Sequence, residues 1–225
     1  MSALPWWAVA GLVLALFAGW STALTGGVGR FRAQVSPMAH YARRLGALML
    51  LGALPAAWAY AQPGGWAALG LGLPEPMRTL GALALLVPVA MAVAWKASAG
   101  EDVQAEYPQI RRETWGHFAM DANLVTWALY LVGYEITFRG LLLFPAIESL
   151  GLAPALLLNV ALYVAAHADK HRREMLACVP MGLLFAGLVL WTGSLWTAVG
   201  LHIAIAWTAE IGSVHHRTST RTGNS

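Results

Sequence analysis

V-G-Y-E-I-T-F-R-G-L, residues 132–141, sets a carboxylate, Glu135, and a guanidinium, Arg139, inside an otherwise apolar run from 123 to 147. A charged side chain at the middle of a bilayer costs about 2.5 to 3.5 kcal/mol on insertion scales, so the pair has to be compensated by something inside the protein. The i, i+4 spacing puts both groups on one helix face, where each neutralises part of the other's charge and both can turn toward a protein interior. Ions held in this way mark a functional site as the first hypothesis. The competing reading is an ion pair that only fixes helix packing.

The rest of the chain supplies the membrane setting. Its 225 residues are 58% hydrophobic and only 11% charged, with 11 Trp, whereas a soluble domain carries about a quarter charged residues. We expect an all-α, polytopic membrane helix bundle of about seven transmembrane helices, with residues 1–225 forming a single integral membrane domain. The expected crossings are 4–24, 45–61, 79–97, 123–147, 152–166, 174–190 and 195–211, followed by a basic polar tail over 212–225. No Lys or Arg precedes the first run, so it lacks the basic start of a secretory signal peptide and reads as a retained span. The single cysteine, Cys178, excludes an internal disulfide and a cysteine-rich metal site.

Charge placement gives an orientation. With the amino terminus outside and the carboxy terminus inside, the inner segments hold Arg30, Arg32, Arg43, Arg44, Lys96, Arg111, Arg112, Lys170, Arg172, Arg173, Arg217 and Arg221, while Arg78 alone lies outside. That asymmetry follows the positive-inside rule and supports both the number of crossings and their orientation. The net charge of +3 therefore reflects topology, and nucleic acid is not an expected partner.

Several other polar residues sit in or at the ends of apolar runs. Asn159, Tyr163 and His167 follow one another at i+4 and share a helix face, and His202 lies in the last run. Lys170 and Glu174 are i, i+4 partners suited to a helix-start salt bridge. Glu210, near the inner boundary, is expected to be solvated, and His215 and His216 fall in the tail without an assigned role. Taken singly, His202 suits a bond to a neighbouring carbonyl, and His167 suits an interfacial loop. No H-E-x-x-H and no G-x-S-x-G occurs. What remains is one Glu with two His on separate helices. That set suits general-base activation of water, with the imidazoles either holding a divalent metal such as zinc or polarising the scissile carbonyl.

These residues also carry a resemblance. E-I-T-F-R-G at 135–140, Y-V-A-A-H at 163–167 and the later His202 resemble, in order and spacing, the three motifs of the CAAX protease and bacteriocin-processing (Abi) family, over a core of about 115–210. The family pattern is E-E-x-x-x-R, F-x-x-x-H and H-x-x-x-N or H-x-x-x-D. Here Tyr134 stands where the first Glu would be, and Ala206 where the final Asn or Asp would be. The resemblance implies an intramembrane endopeptidase, glutamate- or metal-dependent, acting on a membrane peptide or protein, and with it goes the expected location, a bacterial inner (plasma) membrane. Glu135 would activate water, Arg139 would position Glu135, and His167 and His202 would bind a metal or stabilise the oxyanion. Tyr134, Asn159, Tyr163 and Glu174 would be supporting residues. Two alternatives stay open: a catalytically inactive relative that binds a membrane partner, or a small transporter using the same buried ions as a relay.

Overall fold

A computed structural model describes residues 4–25, 35–72, 75–168 and 170–222, with the side chains of 219–222 excluded. Arg30 and Arg32, assigned above to an inner loop, and the side chain of Arg221 lie outside the described residues. The chain is all-helical, 82% helix without strands among the described residues. In order the elements are α1 (Trp6–Thr25), α2 (Pro37–Ala47), a π-helical turn (Leu48–Ala53), α3 (Leu54–Tyr60), a short 3-10 turn (Gly65–Leu69), α4 (Pro76–Ala97) and α5 (Glu101–Glu106). There follow α6 (His117–Glu135), a second π-helical turn (Ile136–Leu141), α7 (Phe144–Leu150), α8 (Leu152–Ala165), α9 (Arg172–Thr192) and α10 (Trp196–Thr222).

Helix starts follow their local chemistry. Ser36 and Glu75 accept hydrogen bonds from the backbone N–H groups of Ala39 and of Met77 and Arg78, each just before a proline that occupies the first helical position. Gly193, with φ 67°, ends α9 in the left-handed conformation that spares a side chain from strain.

Among the described residues five helices are long and apolar enough to cross a membrane: Trp6–Thr25, Pro76–Ala97, His117–Leu150, Arg172–Thr192 and Trp196–Thr218. They coincide with five of the expected crossings, and the chain is an integral membrane protein. The other two expected crossings do not reach that standard. Residues 37–60 are helical but open with the charged pair Arg43 and Arg44 and are broken by the π turn, and α8 has 14 residues. At 1.5 Å per residue α8 spans about 21 Å, short of a hydrocarbon core of about 30 Å.

The bundle is organised around α6 and α10. α10 packs along α4 and α6 and meets α9, α8 packs on α9, and α6 lies against α2 and the first π turn. The closest crossing is at Gly133: a Cβ there would stand 2.8 Å from the Ala47 carbonyl oxygen and 3.0 Å from the Leu48 Cα. Glycine is what lets the two backbones approach so closely. One turn further on, the Thr137 hydroxyl donates to the Leu51 carbonyl at 2.5 Å and ties the two π turns together.

Two expectations about Arg44 and Glu210 need correction. Arg44 is not a loop cation and Glu210 is not solvated: both are completely buried. Arg44 donates to the Asn123 carbonyl at 2.9 Å, to its side-chain oxygen at 2.8 Å and to Gln109 at 3.3 Å, while its guanidinium covers the Trp127 ring. The amide of Asn123 donates to Glu210 at 2.9 Å, and the Gln109 backbone N–H donates to the same carboxylate. This network draws the loop after α5 back onto α10, with Ile110 buried beneath it. The tail is not frayed over its described part either. α10 continues to Thr222, His215 and His216 pack against Trp95, and Arg217 donates to the Gln104 carbonyl.

Removing one member of a buried polar network leaves its partners unsatisfied. Glu210→Ala is therefore expected to cost about 3 kcal/mol, read as a lowered thermal midpoint in detergent. A midpoint equal to that of the unaltered chain would contradict this account.

Candidate active site

The Glu135/Arg139 pair forms as its spacing implies: Arg139 Nε lies 3.4 Å from Glu135 Oε2, and both side chains are fully buried. The helix between them is a π turn, a distortion that recurs at functional sites because it redirects side chains and frees backbone groups. Arg139 is held from three further sides. Its Nη1 donates to Asn159 Oδ1 at 2.8 Å, and its plane lies over the rings of Tyr163, at 4.6 Å, and Phe185, at 5.5 Å. Asn159 in turn donates to the Phe138 carbonyl at 2.5 Å. α8 thus reads its polar face into the site: Asn159 grips the arginine and Tyr163 stacks on it.

The other carboxylate oxygen is taken by α10. His202 Nδ1 lies 2.6 Å from Glu135 Oε1. With Glu135 as a carboxylate, which can only accept, Nδ1 carries a proton and donates it, and in the neutral ring the lone pair is then on Nε2. His167 sits in the turn just beyond α8, its Nδ1 2.9 Å from the Tyr163 carbonyl oxygen, which also only accepts.

Tyr134 joins the two imidazoles: its ring centroid lies 6.2 Å from that of His167 and 5.9 Å from that of His202, nearly perpendicular to each. The side chains surround a cavity of about 550 Å³ whose wall includes Tyr134, Tyr163, His167, Glu174, Cys178 and His202. Glu135 does not itself line that cavity; it stands behind His202. At the cavity's rim Lys170 pairs with Glu106 at 3.5 Å, and Tyr107 donates to Glu174 at 3.4 Å. Burial first, then the Glu174 charge, pushes the Tyr107 phenol well above its ordinary range, so it stays a donor.

The structure therefore brings together Glu135, Arg139, Asn159, Tyr163, His167, His202 and Tyr134, with Glu174 at the rim. Glu210 belongs elsewhere, bonded to Asn123 two turns along α10. Sequence reasoning did not find Phe185, which covers both Arg139 and the His202 ring at 5.2 Å, because a Phe in an apolar span has no local signal. A metal was one expectation for the two histidines. A catalytic zinc takes three protein ligands, and among the described residues no three His, Cys, Asp or Glu side chains gather closely enough to hold one. The donor set does not fit a metal centre. What it can do is position water against an imidazole nitrogen whose proton is fixed on the far side.

Compared with known families, residues 117–208 match the model described as type II CAAX prenyl endopeptidase Rce1-like. The match runs from the start of α6 to two residues before Glu210, and so takes in Tyr134, Glu135, Arg139, Asn159, Tyr163, His167, Glu174 and His202 but not Glu106, at the end of α5, or Tyr107, just after it. No curated protein and no solved structure matches the chain.

Arg139→Ala would leave a buried carboxylate with one partner and is expected to cost about 3 to 5 kcal/mol. Combining Arg139→Met with Glu135→Gln removes both charges at similar volume and should restore most of that stability. Equal unfolding midpoints for the single and double variants would show that the ion pair does not hold the helices.

Proposed function

From the fit of residues 117–208 to the Rce1-like family, type II CAAX prenyl endopeptidases, we propose that this membrane protein is an intramembrane endopeptidase whose general base is the Glu135–His202 pair. The observation that carries this reading is the 2.6 Å contact between His202 Nδ1 and Glu135, made from behind a cavity that His202 itself lines. A carboxylate that accepts the Nδ1 proton sets the imidazole tautomer, orients the ring and stabilises the imidazolium formed when Nε2 takes a proton. Glu135 is thus a positioning residue and His202 the catalytic base, a division of labour that burial of the carboxylate favours over direct contact between Glu135 and water.

The reaction balances without a cofactor. Water in the cavity attacks the peptide carbonyl carbon as His202 Nε2 takes one of its protons. The tetrahedral intermediate collapses, the C–N bond breaks, and the same proton passes to the leaving nitrogen. The products are a carboxylic acid and an amine. His167, with its Nε2 on the same cavity, is placed to hold the attacking water or the leaving nitrogen. Arg139 keeps Glu135 from drifting away from His202, and Asn159 keeps Arg139 in place.

The substrate we propose is a membrane-anchored peptide. The cavity wall combines aromatic and aliphatic side chains with few polar groups, suited to an apolar segment delivered from the bilayer. Arg43 and Lys170 on its wall support a cut near the basic face, which the positive-inside rule makes the cytoplasmic one.

The test is cleavage of lipidated and unlipidated membrane peptides by purified protein in proteoliposomes. Glu135→Gln and His202→Ala should each lower the rate at least about 100-fold while leaving expression and helical content intact, and a chelator should leave the rate unchanged. Full activity in either variant would refute the base assignment, and loss of activity on chelation would restore the metal. Absence of cleavage by the unaltered chain would favour a relative that binds peptides without cutting them, a reading that Tyr134 and Ala206 already suggest.

A further inference from the structure

Tyr134 is 5% exposed, yet its hydroxyl is shielded from solvent and has no hydrogen-bond partner among the described residues. A buried unsatisfied hydroxyl costs about 1 to 3 kcal/mol, and packing does not require it. Phe138, one turn later on the same face, stacks on Tyr134 at 4.2 Å without any polar atom, and a phenyl ring would meet the two imidazoles edge-on just as the phenol does. The hydroxyl is therefore a donor kept for something absent from the folded chain alone. Its side chain lines the cavity beside both histidines.

The chemistry of the site calls for such a donor. As water adds to a carbonyl, negative charge gathers on oxygen and must be met by a preorganised hydrogen-bond donor. Both imidazoles engage their Nδ1, His202 with Glu135 and His167 with the Tyr163 carbonyl. Arg139, although its Nη2 has no hydrogen-bond partner among the described residues, does not line the cavity and lies against Glu135 and Asn159. Ala206, one turn after His202 and also on the cavity wall, has no polar side-chain atom. A second orphaned donor, Trp127 Nε1, lines the same cavity two turns before Tyr134 on α6. The α6 wall is thus furnished with donors whose acceptors a peptide backbone would supply.

We propose that the Tyr134 hydroxyl donates to the scissile carbonyl oxygen as it becomes an oxyanion, which makes Tyr134 a catalytic residue of the peptide hydrolysis. The proposal rests on the hydrolase reading above. It gives the residue at position 134 a role as donor that no carboxylate could fill in its ionised form.

Tyr134→Phe removes the oxygen and keeps the ring. In proteoliposomes, with a cleavable membrane peptide, it should lower kcat about 100-fold while KM stays put and the thermal midpoint rises, because the unsatisfied hydroxyl is gone. Binding supplies a second readout: a peptide aldehyde, which mimics the tetrahedral state as its hydrate, should bind Tyr134→Phe about 100-fold more weakly than the unaltered chain, while the unmodified peptide binds both equally. Wild-type kcat in Tyr134→Phe, or equal weakening for aldehyde and plain peptide, overturns the proposal and leaves the Glu135–His202 assignment standing. If the unaltered chain cleaves no peptide and shows no preference for the aldehyde, the hydrolase reading falls and this role falls with it.

Discussion

A carboxylate with no access to water, held between an arginine on its own helix and a histidine on another, is the constraint from which the rest of this structure follows. Glu135 is tolerable at this depth because Arg139 and His202 each take one of its oxygens. Those contacts require α6, the π turn that follows it and α10 to stand in one arrangement. Arg139 needs the Asn159 amide and the rings of Tyr163 and Phe185, so α8 and α9 are drawn in as well. The π turn at Ile136–Leu141 and the glycine crossing at Gly133 are the backbone adjustments that let the pair point inward.

The same constraint sets the chemistry. An imidazole bonded through Nδ1 to a buried carboxylate has one tautomer and one orientation, which removes the entropy of finding the reactive geometry. The dry environment strengthens the interaction with any imidazolium that forms. The cavity wall holds both imidazoles and, in edge contact with each, the phenol of Tyr134.

Much of this was legible in the chain because ions and imidazoles in apolar runs have few bland explanations. Glu135 and Arg139 announced a pair by their spacing, and Asn159, Tyr163 and His167 announced a face by theirs; the structure joins that face to Arg139. Five crossings were legible from length and apolarity alone. What was not legible depends on depth and on distant partners. Arg44 looked like one more loop cation beside Arg43, and its burial comes from Asn123 and Gln109, far away in sequence. Glu210 looked solvated because only its distance from the span's end could be judged; Asn123 on α6 takes it inside. That His202 lines the cavity while Glu135 does not depends on rotation about α6 and α10, which periodicity alone does not resolve. Tyr134 could be seen to stand where the resemblance has an acidic residue, but the sequence did not show that its hydroxyl is buried without a partner among the described residues.

The most direct test of the central claim is the protonation pattern of the His202 ring, read from imidazole nitrogen shifts of selectively labelled protein in lipid. The account predicts a proton on Nδ1 and a bare Nε2 at neutral pH, with that pattern lost in Glu135→Gln. A proton resting on Nε2 with Nδ1 bare, or a ring indifferent to the Glu135 substitution, would contradict it.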